Sequence, residues 1–297
     1  MLINYLKKKM EKIIFKVKIN NYKLLRINFL EEKAINDIEK GISCEKYFEQ
    51  NVIISLTTYG KRINTVYLTI ESLFQQICRA NKIILWLDEE EFSMKNIPFS
   101  LKKLIKRGLE IKFCKNIRSY KKLIPTLKYY PNEIIITVDD DYVYPNDFIN
   151  NFLDEYNKNK DIIYYYCGNK IKFKNKKIEK YINWERYSEN KEISLLNFPV
   201  GVGGVLYPPN CFHKDILKEE LFMELSPYGD DIWFKAMTLL VDKKCKQVDF
   251  FGKFEEKFFP IDGTQEDTLT QKNVDGGKND EQIKKVFEYY KLEKKLI

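Results

Sequence analysis

The sequence predicts an α/β fold built on a mostly parallel sheet flanked by helices, and three observations carry that expectation. From residue 51 onward, short apolar runs rich in β-branched residues alternate with stretches of helical periodicity. Several of these runs end in polar or glycine-bearing residues suited to loops. The run Ile134-Ile135-Ile136-Thr137-Val138 is apolar enough for a strand buried on both faces, as parallel sheets require.

The elements follow in order. Residues 52–56 form the first strand, running into the loop Thr57-Thr58-Tyr59-Gly60. Val66, Ile70, Leu73, Phe74 and Ile77 recur at helical spacing and predict a helix over residues 63–80. A second strand over 83–87 ends at Asp88. A helix over 101–107 stops at Gly108, and 109–114 is the third strand. A short helix over 124–130 is stopped by Pro131. The fourth strand, 134–138, ends in Asp139-Asp140-Asp141. With no internal repeat and no low-complexity linker, residues 51–297 are expected to form a single catalytic domain, preceded by a basic segment over residues 1–50.

That segment holds most of the excess charge. Of the formal net charge of +8, residues 1–30 carry eight Lys/Arg against the single acid Glu11, so the body is nearly neutral. A nucleic-acid binder places its basic patch on the folded body, and no nucleic-acid partner is expected. Ile3, Leu6, Met10, Ile13, Ile14 and Val17 share one helical face, with Lys7, Lys8, Lys12, Lys16 and Lys18 mostly on the other. Such a helix can lie on an anionic membrane surface. Phe15-Lys16-Val17-Lys18-Ile19 alternates as a strand does, however, and a segment packed on the body is the preferred reading. Uncharged apolar runs stay short of the roughly 18 residues a membrane span needs. There is no unbroken signal-peptide core of about 7–15 apolar residues, so the expected location is cytoplasmic, with peripheral contact on the inner face of the cell membrane as the alternative. The six cysteines lack metal-ligand spacing and read as reduced packing residues.

The chemistry is expected at two acidic sites. Carboxylates at the end of a buried strand sit where open α/β sheets bind ligands. Asp139, Asp140 and Asp141 repel one another unless a cation offsets them, and Mg2+ or Mn2+ with oxygen ligands suits them. A solvated acidic turn leading into Tyr144-Pro145-Asn146-Asp147 is the alternative. The second site is Gly229-Asp230-Asp231, followed by helix-forming Trp233, Phe234, Met237 and Leu240. Asp230 and Asp231 either support that helix's N-terminus or act in the cleft as a base or charge stabiliser. Between the sites, Gly201, Gly203 and Gly204 fall within four positions and suit the wall of a substrate cleft better than a phosphate loop. The lone histidine, His213, has no partner motif and reads as structural or surface.

These residues carry a resemblance. Ser55-Leu56-Thr57-Thr58-Tyr59-Gly60-Lys61-Arg62, Leu85-Trp86-Leu87-Asp88, Tyr120-Lys121-Lys122-Leu123, the triple Asp, Gly203-Gly204 and Asp230-Asp231, in that order, resemble the nucleotide-sugar glycosyltransferases of the GT-A fold. The likeness is to bacterial capsule and lipopolysaccharide enzymes, and more distantly to exostosin-like transferases, over about residues 52–280. It implies a Rossmann-like domain, a Mn2+ or Mg2+ cofactor, a nucleoside-diphosphate sugar (UDP-sugars first) as donor, and a glycan or glycolipid acceptor. By position, Thr57, Tyr59, Arg62, Asp88, Lys122, Asp139 and Asp140 would bind the nucleotide. Asp141 and Asp139 would hold the metal, and Asp231, then Asp230, would be catalytic. Gly203, Gly204 and Trp233 would face the acceptor. Many relatives add a late histidine to the metal; nothing after His213 supplies one here, so the third ligand stays open. The polar tail, from Asp262-Gly263-Thr264-Gln265 to Gly276-Gly277-Lys278-Asn279-Asp280, reads equally as a lid over the donor or a plain loop. A nucleotidyltransferase or another enzyme of metal-dependent phosphoryl chemistry is the alternative function. A nucleotidyltransferase calls for a Gly-rich basic loop after the first strand, where this chain has one glycine and two basic residues.

Overall fold

The computed structural model describes residues 2–186, 191–250, 252–264 and 277–296, with residues 2–8 and 12 described by their backbone alone. A long first helix, α1 (Leu2–Asn36), precedes β1 (Val52–Thr57). Then come α2 (Val66–Phe74), β2 (Lys82–Asp88), α3 (Phe99–Lys106), β3 (Leu109–Cys114), α4 (Ile124–Tyr129) and β4 (Ile134–Thr137). The second half supplies α5 (Phe148–Lys158), β5 (Ile163–Tyr165), β6 (Val205–Tyr207), α6 (Glu219–Leu225), α7 (Asp230–Leu240), β7 (Cys245–Gln247) and α8 (Lys278–Tyr290).

Seven strands form the main sheet in the order β7-β5-β6-β4-β1-β2-β3. β1 pairs in parallel with both β2 and β4, and β2 with β3. Only β6 runs antiparallel to its neighbours, β4 and β5. This is the mostly parallel α/β sheet flanked by helices that the sequence predicts. Its strands are hydrophobic on both faces because both faces are covered. Val52, Ile54, Leu56, Ile134 and Ile136 point into one core with Phe148 and Phe152 of α5. Ile135, Val205 and Tyr207 point into the other with Trp233, Phe234 and Met237 of α7 and Ile283 and Val286 of α8.

Two helices depart from the expectation. The helix expected over 63–80 is only α2, preceded by a single 3-10 turn, Gly60–Asn64. It ends early because the Ile77 amide donates to the Asn146 carbonyl and the Gln76 side chain donates to the carbonyls of Ser72 and Pro145. Ile77 is therefore exposed, off the core face. The N-terminal helix is longer than its periodicity showed, passing through Asn20-Asn21, whose weak helix propensity is overridden. Its far end is anchored: Leu30 and Ala34 are buried, and Arg107 donates to the carbonyls of Lys33 and Glu39 while pairing with buried Glu71. From Met10 to Leu25 most apolar side chains are exposed.

Candidate active site

The loops at the carboxyl ends of β1, β2 and β4 and the turn before β6 meet around the two acidic sites. β4 ends its pairing with β1 where the Val138 amide donates to the Ser55 carbonyl. The chain then turns, held by two side chains from other elements. The Tyr144 hydroxyl accepts from the Asp139 amide at 3.0 Å, and the Thr69 hydroxyl donates to the Asp140 carbonyl at 2.9 Å. The turn sends Asp140 and Asp141 to one partner, Arg62, and Asp139 to another, Lys122. Asp140 is buried, accepts from the Thr58 hydroxyl and pairs with Arg62 at 2.9 Å. Burial pushes its carboxyl above the ordinary range, against the pull of Arg62. Asp141 pairs with the same guanidinium at 3.1 Å. Asp139 is the most open of the three and lies 3.2 Å from Lys122 Nζ.

Lys122 arrives from the other side, on the 3-10 turn Arg118–Lys122 between β3 and α4. Its ammonium bridges Asp139 and Asp230, the latter at 2.9 Å. Burial works against its charge, but Asp139, Asp230 and Asp231 together hold its pKa well above the ordinary lysine value.

Asp230 and Asp231 open α7 directly after Gly229. The turn is fixed by Ser226, whose hydroxyl donates to the Gly229 carbonyl at 2.7 Å, and by Tyr120, whose hydroxyl donates to the Ser226 carbonyl at 2.6 Å. Neither Asp caps the helix through its side chain; Gly229 is the N-cap. Asp230 accepts from the Ser119 hydroxyl at 2.9 Å. Asp231 accepts from the Gly201 amide at 3.2 Å. Burial, then the adjacent Asp230, pushes the Asp231 carboxyl up to about 7, with Lys122 opposing.

The two acidic sites converge on Gly201. A Cβ there would stand 2.6 Å from Lys122 Nζ, 3.3 Å from Asp139 Oδ1 and 3.5 Å from Asp231 Oδ1. A Cβ there would push the Lys122 ammonium, the end of a flexible side chain, out of its place between the acids. Gly201 thus lies against the acids; Gly203 and Gly204, expected on the acceptor side, do not. A Cβ on Gly203 would strike Phe254 and Tyr166, and one on Gly204 would strike Phe148, so these two serve packing. The expectation for Trp233 is also corrected. Three positions after Asp230 on α7, its ring is fully buried against Phe222 and Tyr290, and its indole N–H donates to the Ile216 carbonyl. It has no surface to offer an acceptor.

The remaining expected residues lie on the loops of β1 and β2. The Thr57 hydroxyl donates to the Trp86 carbonyl, tying the two strand ends together. Tyr59 is exposed, with its ring 5.1 Å from the Arg62 guanidinium. Arg62 is turned inward onto Asp140 and Asp141 and also donates to the Thr264 carbonyl at 2.7 Å. Asp88 is buried and accepts from the Glu90 amide at 3.0 Å. His213 stands apart, its Nδ1 accepting from the Asp215 amide, which makes it structural. Of the tail expected as lid or loop, residues 265–276 lie outside the described residues.

Among the described residues no group of three His, Cys, Asp or Glu side chains is gathered closely enough to hold a metal ion alone. The donor set still suits a hard cation of the Mg2+ type, which takes one or two carboxylates and completes its shell with substrate phosphates. Asp139 and Asp141 are such oxygen donors at a strand end. Sequence reasoning gave no role to Thr58, Ser119 and Tyr144, and read Gly201 only as one glycine of a cleft wall, the first of the run Gly201-Val202-Gly203-Gly204.

No family model matches the chain, and no curated protein matches it in sequence. Solved structures similar to it include GalNAc-T7 with UDP, GalNAc and Mn2+, at 13% identity and a TM-score of 0.45 over 82% of this chain. The mannosyltransferase PcManGT from Pyrobaculum calidifontis, in complex with GDP-Man and Mn2+, is 12% identical with a TM-score of 0.34 over 52% of this chain. A CMP:2-keto-3-deoxy-manno-octonic acid synthetase complexed with CTP is 12% identical with a TM-score of 0.40, covering 68% of this chain and 90% of its own. The chain spans less than half the length of the first two, 48% and 45%. At these identities the likeness is one of fold.

Proposed function

We propose that this chain transfers a sugar from a nucleoside-diphosphate donor to a hydroxyl acceptor. The observation that carries this reading is the convergence of Asp139, Lys122 and Asp231 on Gly201. One cleft then holds the half-buried Asp139 carboxylate at a strand end and the half-buried Asp231 carboxyl, pushed up to about 7, both against Gly201. The first kind of group suits cation and phosphate binding. The second is poised to accept a proton near neutral pH.

The roles divide accordingly. Thr57, Tyr59 and Asp88, on the loops of β1 and β2, form the nucleotide side, where open α/β sheets bind such ligands. Asp139 and Asp141 would hold Mg2+ or Mn2+, which when bound offsets the charge gathering on the leaving diphosphate. Arg62 keeps Asp140 and Asp141 in place, and Lys122 steadies the acids between the two halves of the cleft. The bond from sugar to diphosphate breaks with its electron pair going to the diphosphate. The acceptor oxygen bonds to the sugar carbon, and its proton passes to Asp231. A glycan or glycolipid hydroxyl is the acceptor class, and synthesis of a bacterial surface polysaccharide or lipopolysaccharide is the setting.

The test is turnover of a panel of nucleoside-diphosphate sugars, UDP-sugars first, with Mn2+ or with chelator. Release of nucleoside diphosphate that needs the metal supports the reading. Release of pyrophosphate from a nucleoside triphosphate and a sugar acid or sugar phosphate would establish nucleotidyl transfer instead.

A further inference from the structure

The exposed half of α1 bears an apolar stripe that the body does not use. At about 100° per residue, Met10, Ile13, Ile14, Val17, Leu24 and Leu25 all fall within about 60° of one line along the helix. All six are exposed, Met10 at 61% and Leu25 at 68%. The residues that bury against the body lie on the opposite side. Leu30 packs with Leu68, Val143, Phe259 and Ile261, joined by Ile27, and Ala34 enters the main core. Tyr22 and Lys23 lean on the Phe259 ring from that same side. The helix is thus held by one face and presents a different, apolar one outward. Scattered exposed apolar residues are ordinary, but six aligned on one helix mark an interaction surface.

The charge around the stripe selects the occupant. Lys9, Lys16 and Lys18 are exposed along the same stretch, where Glu11 is the only acid of residues 1–30. A second copy of the chain would bring two such basic clusters together, which opposes self-pairing. An anionic lipid surface accepts both components, taking the apolar side chains at the acyl boundary and the ammonium groups among its headgroups. We infer that α1 docks this protein, in the plane of the interface, onto a membrane surface of anionic phospholipid. No helix among the described residues is long and apolar enough to cross a membrane, so the contact is peripheral at α1.

The test is co-sedimentation of the full chain with vesicles of phosphatidylcholine alone or mixed with phosphatidylglycerol. The chain is expected to sediment with the mixed vesicles, not with pure phosphatidylcholine, and less as salt rises, because the field is screened. Ile13→Ser/Ile14→Ser/Val17→Ser should lower partitioning by roughly tenfold or more, given the worth of burying an apolar side chain. Lys16→Gln and Lys18→Gln should each lower it about fivefold, the equivalent of about 1 kcal/mol per basic residue at an anionic surface. All these residues are exposed, so melting midpoints should not move. Equal binding to both vesicle types, or unchanged binding of both sets of variants, overturns the inference. So does a stripe-dependent dimer seen by light scattering with no vesicle binding.

Discussion

The triple aspartate and the Asp230-Asp231 pair are built from the same side chain and put to different chemical ends. The first lies at the end of a strand, where Arg62 meets Asp140 and Asp141 and Lys122 meets Asp139. The second starts α7, where the half-buried Asp231 accepts from the Gly201 amide and is pushed up by desolvation and the adjacent Asp230, with Lys122 opposing. The strand-end carboxylates lie against fixed cations, Arg62 and Lys122, at a position that suits the binding of a metal cation and phosphates. A partly desolvated carboxyl set beside another acid is pushed up, here to about 7. The difference teaches that chemistry here follows from enclosure and neighbours rather than from residue type. It also gives each half of the cleft its own experimental signature.

The largest effect is expected at the strand end. Asp141→Ala should reduce turnover to background and abolish the metal dependence of nucleoside-diphosphate binding, with the circular dichroism spectrum of the fold intact. Normal activity of this variant in chelator would erase the distinction between the two sites.

At the start of α7, Asp231→Asn should lower turnover by about 10²–10⁴, the usual range for general acid–base groups, while donor affinity barely moves. Its stability should report the same environment. A carboxyl whose folded pKa is raised stabilises fully below the unfolded value of about 4, and that contribution is lost as pH climbs through about 7. Asp231→Asn never has to ionise, so its melting midpoint should exceed the parent's above pH 7. If Asp231 only supported the start of α7, the midpoint would fall and turnover of the folded fraction would survive.

A nucleotide-side change should cost less. Asp88→Ala should weaken nucleoside-diphosphate binding by about 1.5–3 kcal/mol, the range for a hydrogen bond to a charged group. Isothermal calorimetry that finds no change would remove Asp88 from the nucleotide site and leave it as the support of the Glu90 turn. The pH profile sharpens the comparison further. Turnover should rise as Asp231 loses its proton, about tenfold per pH unit below 7 and flat above, and Asp231→Asn should lack that limb.

Gly201→Ala is the mildest break, because the nearest obstacle, Lys122 Nζ, is the end of a flexible side chain. Moving it uncouples Lys122 from Asp139 and Asp230, and turnover should fall about tenfold at unchanged melting midpoint, the loss of roughly one ordinary hydrogen bond's worth of positioning. A variant as active as the parent would show that the convergence at Gly201 has no catalytic consequence.

Much of this molecule was legible from local pattern. The four parallel strands from β1 to β4 and the carboxylates at the end of β4 followed from short apolar runs and from where they stop, which are properties of consecutive residues. The helix opened by Asp230 was legible for the same reason. What local pattern did not carry was which way side chains turn once elements pack. Trp233 shares a helix with Asp231 but faces the core beside α8, while Asp231 faces Gly201. Gly203 and Gly204 meet aromatic rings, while Gly201, two positions earlier, meets the acids. The apolar stripe of α1 was visible as periodicity, yet only the packed structure shows that the body takes the other face. The joining of the two acidic sites is the clearest case. It depends on β6 running antiparallel beside β4, which brings the turn over Gly201–Gly203 back to the strand end that carries Asp139. Sheet order and direction are settled by long-range pairing and burial over the whole chain, so no local stretch of sequence encodes them.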